Sequence, residues 1–413
     1  MPTPDALPAG RLTDYLDQGV LAACYPRDQI EDVLAETGTT ELRRRKLPAH
    51  VVVRHTIAWG LNATQGTDAV MRDVVGCLQW LGSWNQDWKV PSTSAIAQAR
   101  AKLGSEPLAE LFHRACTPMA NATTPGAFAG TRRLMSIDGT TLDVADTDAN
   151  TDHFGHSGKD RNRSAFPQLR MFTLTESGTR AIVGAAMGPC STGERTLAHQ
   201  LGPVCEQGML VLADAGLYSW QLWTDYTSTG ADLAWRVGAG VELPPVRPLD
   251  DGSYLALLFS PLVKSRKAKD ALLAQARAGH QVDAERALVV RAVDYTVPEA
   301  NPEGELITVM TTVLDPGQLP AVELADLYAR RWEHESALGE VKTGLVGAHT
   351  VIASQSPAMV AAQVWGVLLA HYAVRELMYR SAERVGLAPD RMGFTHSVRI
   401  VRRTAPGGTA FSP

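Results

Sequence analysis

Three patterns in the 413 residues predict a mixed α/β protein that has an all-α amino-terminal region and carries a β-rich insertion. Apolar residues recur at helical spacing through the first third of the chain, with almost no strand-like alternation. From Arg133 the pattern changes to short runs of β-forming residues interleaved with helices, which is the signature of a mixed sheet. Between about residues 240 and 318 Pro-rich loops and further β-like runs interrupt that alternation, after which helical spacing returns. With 45% hydrophobic and 20% charged residues the composition is that of an ordinary globular chain, long enough for roughly two or three domain cores.

Each segment has its own warrant. Residues 1–128 hold apolar residues at helical intervals, such as Ile30, Val33 and Leu34, then Val70, Val74, Val75 and Leu78. Pro91-Ser92 followed by Thr93-Ser94 predicts a capped helix over 96–103. The Ala, Thr, Pro and Gly tract over 120–130 has the composition of a linker. Residues 129–240 open with a strand at 134–137 that leads to Asp138-Gly139-Thr140; 169–175 and 180–187 form a hairpin around Ser177-Gly178. Ser191 with Glu194 reads as a capping box for the next helix. The wholly apolar run 209–213 reads as a buried central strand that stops at Asp214, and 233–237 is a fifth strand. Residues 241–318, with β-like runs at 254–258, 287–297 and 306–314, form the insertion. Residues 319–385 return to helix, from Val322 and again over 357–384. Residues 386–413 form a basic tail, partly disordered from Arg403 onward.

The net charge of −5 and pI near 6.1 exclude a uniformly basic nucleic-acid coater. Charge is uneven, however. Arg43, Arg44, Arg45 and Lys46 form one run, Lys264, Arg266, Lys267 and Lys269 another, and seven arginines follow from Arg375 against Glu376, Glu383 and Asp390. One such run is most simply a solvated face; three point toward DNA. Cys24, Cys77, Cys116, Cys190 and Cys205 include no CxxC pair, so neither a disulfide framework nor a structural zinc site is implied, and a reduced cytoplasmic setting fits. Asp5, Arg11, Asp14 and Asp17 stand where a signal peptide needs an apolar core. The apolar stretch 359–374 contains Gln363 and His371 and is shorter than the ~20 residues of a membrane span, so no membrane is expected.

The chemistry concentrates in Tyr328, Arg331, Glu335 and Lys342. On a regular helix these four fall within about 80° of arc, whereas Glu333 and Glu340 fall on the far side. One carboxylate, two cations and a phenol on one face suit a metal ion beside a phosphodiester. Asp138 and Asp214 each follow an apolar β run, where a strand presents its last side chain beyond the sheet edge, so two strands and a helix can bring three acids together. Such acids repel one another unless divalent cations stand among them, and hard oxygen ligands favour Mg²⁺ or Mn²⁺; two ions could then activate a nucleophile and stabilise a leaving oxygen. Plainer readings stand beside these. Asp138-Gly139 is also a common turn pair and Asp214 could close a strand-to-helix turn. Asp143, Asp146, Asp148 and Asp152 read as surface-loop acids, Trp332 as core, and Trp80, Trp84 and Trp88 as packing. His153, His156 and His334 match no ligand spacing. An aspartyl phosphohydrolase would usually carry Asp-x-Asp, but the residue two after Asp138 is Thr140.

The order Tyr328-x2-Arg331-x3-Glu335-x6-Lys342 resembles the Tyr-Arg-Glu-Lys signature of DDE transposases of bacterial insertion sequences, in the insertion-sequence-four family. Residues 136–140, Asp146-Thr147 with Asn150 and Phe154-Gly155, Pro167-Gln168, 211–217 and 328–332 are similar to that family's blocks, in order, and the likeness spans roughly residues 10–385. The resemblance implies a ribonuclease-H-like catalytic core in two parts, 129–240 and 319–385, with the insertion between the second Asp and the Glu and a helical DNA-binding domain ahead of it. It implies Asp138, Asp214 and Glu335 as ligands of two Mg²⁺ or Mn²⁺ ions, and Tyr328, Arg331 and Lys342 as DNA-backbone contacts. It further implies cut-and-paste transposition on double-stranded DNA, at terminal inverted repeats and target, by a homodimer in a bacterial cytoplasm, associated with the nucleoid. A catalytically silent DNA-binding regulator is the alternative within that family. The insertion lacks tryptophan, and Ala215 stands where members often carry Arg.

Overall fold

The computed structural model describes residues 17–40, 47–80, 89–238, 240–297, 305–348 and 350–403. The run from Arg43 to Lys46, the charged residues ahead of Asp17, the side chains of Trp80, Trp84 and Trp88, and the tail beyond Arg403 lie outside the described residues.

Among the described residues six helices come first: α1 (Asp17–Cys24), α2 (Arg27–Glu36), α3 (Ala49–Leu61), α4 (Thr67–Trp80), α5 (Thr93–Leu103) and α6 (Glu106–Ala115). Ser92 accepts the Ala95 backbone N–H and so satisfies one of the donors that the first turn of α5 leaves open. The sheet region follows as β1 (Phe128–Ala129), β2 (Arg132–Asp143), α7 (Asp148–Phe154), β3 (Gln168–Glu176), β4 (Ala181–Pro189), α8 (Glu194–Leu201), β5 (Met209–Ala213), α9 (Trp220–Ser228) and β6 (Asp232–Val237). The insertion supplies β7 (Pro245–Pro248), β8 (Tyr254–Phe259), α10 (Arg266–Arg277), β9 (Ala287–Val297) and β10 (Glu305–Thr311). The chain ends in α11 (Ala321–Ala329), α12 (Trp332–Gly339), a π-helical segment (Glu340–Gly347), α13 (Pro357–Arg384) and α14 (Phe394–Arg403).

The strands form one sheet in the order β4-β3-β2-β5-β6-β10-β9-β8-β7, with β1 on β2. Its first five strands have the ribonuclease-H-like arrangement: an antiparallel β2–β3–β4 meander followed by β5 and β6, each parallel to its neighbour. All five residues of β5 are buried, as a strand covered on both faces requires. β10 pairs antiparallel with β6, so the insertion extends the core sheet and is not a separate β body. It also contains a helix that alternation alone does not predict. Ser265 caps α10 by accepting from Ala268 N, and Leu272 and Ala276 pack against Leu257 and Ala287. Two cations of the basic run at this helix are engaged: Lys269 pairs with Glu242 and Arg266 with Asp270.

Local expectations fail where tertiary contacts dominate. The Ala120–Gly130 tract is no free linker: the Ala120 N–H donates to the Glu176 carboxylate and β1 joins the sheet. Gly193, not Ser191, occupies the N-cap of α8. The acidic tract read as a loop begins α7 at Asp148.

What unites helices and sheet is α13, 28 residues long and buried along most of its apolar length. An all-round apolar helix belongs in a core, and here it lies between α3 and the sheet. Ile57 of α3, Leu368 of α13, and Ile137 and Leu174 of the sheet share one hydrophobic cluster. The two helices touch at glycines. A Cβ on Gly60 would lie 2.6 Å from the carbonyl carbon and oxygen of Gly366, and one on Gly366 would lie 2.6 Å from the Thr56 carbonyl oxygen. Because both neighbours are backbone, neither can give way. Gly366→Ala should therefore destabilise the fold by about 1–3 kcal/mol, read as a lower thermal midpoint; Gly339→Ala, whose Cβ meets nothing within 4 Å, should be neutral or slightly stabilising.

Candidate active site at the open end of the sheet

Asp138 is not the last residue of its strand. β2 runs on to Asp143, and Asp138 faces Thr173 of β3 in register. The strand that ends is its other neighbour: β5 pairs with β2 only as far as Ser136↔Leu212, stops at Ala213, and Asp214 follows at once. Beyond that point β2 is unpaired on the β5 side until the Asp143 carbonyl accepts the Ile352 N–H at 2.8 Å, so Asp138 and Asp214 sit where the sheet opens.

A broken helical run supplies the third acid. The continuous helix expected from Val322 is α11, a break at Arg330 and Arg331, α12, and then the π-helical segment that carries Lys342. Such π segments recur at functional sites. The start of α11 is tied to the insertion by Asp251, which accepts the Ala321 N–H at 2.8 Å and pairs with the buried Arg291. Arg291 also donates to Ser253 Oγ at 2.8 Å and to the Leu319 carbonyl at 2.5 Å.

All four signature side chains reach the open end. The Tyr328 hydroxyl donates to the Ala213 carbonyl at 3.3 Å and lies 3.5 Å from Asp214 Oδ1. Arg331 spans two acids, with Nη1 3.3 Å from Asp138 Oδ2 and Nη2 3.1 Å from Glu335 Oε1. Lys342 Nζ is 3.2 Å from Thr140 Oγ1, two residues beyond Asp138 and thus on the same face of β2. Tyr328 itself is buried, so its phenol bears on Asp214 from inside. Glu333 and Glu340 turn the other way. Glu333 pairs with Arg180 at 2.5 Å, while Glu340 accepts from His371 Nε2 at 3.1 Å and Arg375 Nε at 2.8 Å. Trp332, read as core, is instead 63% exposed, with the Arg331 guanidinium 5.6 Å from its ring centre.

The electrostatics follow from this crowding. Burial raises the pKa of the Asp138 carboxyl, and the Glu335 and Asp214 charges add to that; the Gly139 N–H, 2.7 Å from Oδ1, and Arg331 oppose it. Burial works against the Arg331 cation, yet Tyr328, Asp214, Asp138 and Glu335 together leave its pKa raised. Burial and the Asp214 charge push the Tyr328 phenol up, keeping it protonated as a donor. Among the described residues no three His, Cys, Asp or Glu groups stand close enough together to hold a metal ion, and the Arg331 guanidinium stands between Asp138 and Glu335. The chemistry of the donor set nevertheless fits a hard divalent cation, since every candidate ligand is a carboxylate. The rival acids lie elsewhere. Asp146, Asp148 and Asp152 line a separate open cavity of about 690 Å³ with His156 and Arg163, and Asp143 accepts from Gln168 Nε2 at 2.7 Å.

Sequence reasoning gave no place at the site to Arg180, Arg375 or, above all, His334, which it set aside as matching no ligand spacing. This wholly buried residue lies 3.0 Å from the Ser136 carbonyl through Nδ1 and 2.8 Å from Thr173 Oγ1 through Nε2. Its only sequence signal is its place beside Glu335, since its partners come from strand register.

The sheet order and the acids at its open end define a ribonuclease-H-like core of the kind suited to metal-assisted phosphoryl transfer. Residues 129–372 match the family described as Transposase DDE domain, and residues 16–113 match the family described as Insertion element 4 transposase N-terminal. The chain belongs to the DDE transposase family, whose members are DNA-cleaving and strand-transferring enzymes that use divalent metal. It is similar to Transposase InsG for insertion sequence element IS4 of Escherichia coli, at 29% identity over 400 residues, covering 96% of this chain and 83% of that protein. It is also similar to Putative transposase InsZ of Escherichia coli, at 23% identity over 222 residues, covering 53% of this chain and 71% of that protein. Among solved structures, the piggyBac transposase synaptic complex with hairpin DNA overlaps it with a TM-score of 0.45 at 10% identity, covering 97% of this chain and 84% of that chain.

Burial dictates a pH response. It lowers the pKa of His55 to about 4 and of His334 to about 3, so both stay neutral in the fold. The unfolded chain, with histidine near 6.5, takes up protons first. The stability from these groups is therefore full above pH about 6.5 and is lost as pH falls toward 3–4. At pH 5, unfolding should take up about one proton at each, measured as the slope of unfolding free energy against pH.

Proposed function

We propose that this transposase holds two Mg²⁺ or Mn²⁺ ions on Asp138, Asp214 and Glu335, and grips the DNA backbone beside the cut with Arg331 and Lys342, supported by Tyr328. The observation that carries the proposal is the double reach of Arg331, which marks Asp138 and Glu335 as acids that share one cation. Bound there, divalent ions would supply an activated water or 3′-hydroxyl and stabilise the leaving oxygen. The protein's own part is to hold and to release. The Gly139 N–H fixes one Asp138 oxygen, and the Tyr328 phenol stays protonated against Asp214. Arg331, freed from its carboxylates when other positive charge takes its place, becomes available to a phosphate. A planar guanidinium suits two phosphate oxygens at once, whereas Lys342 acts as a point charge.

On this reading residues 129–240 and 319–385 form the catalytic unit interrupted by 241–318. The helical region 1–128 recognises the element's inverted-repeat ends, aided by the basic tail 386–413. Two copies act together on paired ends and join them to target DNA, in a bacterial cytoplasm at the nucleoid.

The decisive experiment incubates the protein with linear DNA bearing the element's own ends, in Mg²⁺ or Ca²⁺, and follows release of 3′-hydroxyl ends. Asp138→Asn, Asp214→Asn and Glu335→Gln should each reduce cleavage to background with DNA binding largely kept; normal cleavage by any of them removes that residue from the site. Arg331→Ala and Lys342→Ala should weaken end binding and each lower the salt slope by about 1, as the loss of one phosphate contact predicts. An unchanged slope would make the residue structural.

A further inference from the structure

We propose that His334 is a positioning residue that sets the Glu335 carboxylate against Asp138 by fastening α12 to the strand pair that carries Asp138. The inference rests on the assignment of these two acids as metal ligands.

Its partners decide its chemistry. The Ser136 carbonyl can only accept, so Nδ1 bears the proton and donates across 3.0 Å. Nε2 of the neutral ring is then an acceptor, and the Thr173 hydroxyl donates to it across 2.8 Å. Both contacts lie at the site. Ser136 is two residues before Asp138 on β2 and is the last residue of β2 paired with β5, whereas Thr173 is the residue across from Asp138 in the β2–β3 ladder.

The helix needs such an anchor. α12 starts at a break and passes directly into a π-helical segment, so a regular α-helical run extends on neither side of it. Glu333, one residue earlier, reaches Arg180 at the β3–β4 turn, and the two bonds of His334 add a second hold at the level of the acids. Any buried imidazole needs partners for its nitrogens; what singles out His334 is that both of its partners belong to the strand pair around Asp138. Groups that orient a metal-binding side chain from behind typically change metal affinity or rate by about 10–100-fold when removed.

The test compares His334→Leu, which removes both bonds, His334→Asn, which keeps a donor for the Ser136 carbonyl, and Thr173→Val, a near-isosteric loss of one bond. Mn²⁺ affinity is measured by calorimetry without DNA, single-turnover cleavage with end DNA, and end-DNA affinity in EDTA. His334→Leu and Thr173→Val should weaken Mn²⁺ binding and cleavage about 10–100-fold with end-DNA affinity unchanged, and His334→Asn should lose less. Wild-type Mn²⁺ affinity in the folded variants overturns the inference, whatever happens to stability; should His334→Leu not fold, Thr173→Val and His334→Asn decide. Asp138→Asn and Glu335→Gln separate the two failures. If they bind Mn²⁺ and cleave normally, the site assignment falls; if they lose both while the His334 and Thr173 variants keep wild-type Mn²⁺ affinity, only this inference falls.

Discussion

Carboxylates gathered at the end of a buried sheet repel one another, and the arrangement around Asp138, Asp214 and Glu335 is organised by that repulsion. Arg331 answers it by touching Asp138 and Glu335 at once. A guanidinium can do this because its donors form a planar fork, whereas the ammonium of Lys342 is a point charge that reaches Thr140. Burial sharpens the balance, raising the Asp138 pKa while the surrounding negative charge holds Arg331 protonated. The same cation is thus a structural counter-ion in the free protein and, on the proposed reading, a phosphate ligand in the complex.

The two glutamates on the far side of the helical run obey the opposite rule. Glu340 is nearly buried, and a lone buried carboxylate would be costly, so it is matched by Arg375, His371 and Arg180. Burial opposes its ionisation, but His371 and Arg375 prevail and hold its pKa below the usual value. This network ties the β3–β4 turn, the π-helical segment and α13 together. Because α13 also packs glycine to glycine against α3, the amino-terminal helices and the open end of the sheet stand on one continuous core.

Much of the candidate site was legible in the sequence, for physical reasons that differ by residue. Asp214 was legible because a short, wholly apolar run of five residues reads as a buried strand, and the polar residue that follows it marks the strand's end. Glu335 could be told from Glu333 and Glu340 by helical period, a rule that tolerated the break at Arg331 because most of the turns remain helical. Asp138 was found for a partly mistaken reason, as the end of a strand that in fact continues to Asp143. Trp332 was misread because an aromatic near a helix face is usually core, yet this one is exposed. Periodicity could not show α10, whose helical turns sit among β runs, nor that the insertion's strands would extend the core sheet through β10 and β6.

The amino-acid sequence by itself determined most of the order of elements, the candidate acids and cations, and the sides of the helical run on which they fall, because these depend on local period and residue chemistry. Tertiary structure alone decided which strand ends and which runs on, that one arginine serves two acids, that Tyr328 is buried beneath Asp214, and that His334 meets Ser136 and Thr173. Those relations pair residues far apart in the chain, and strand register and helix docking, which carry no local signature, bring them together.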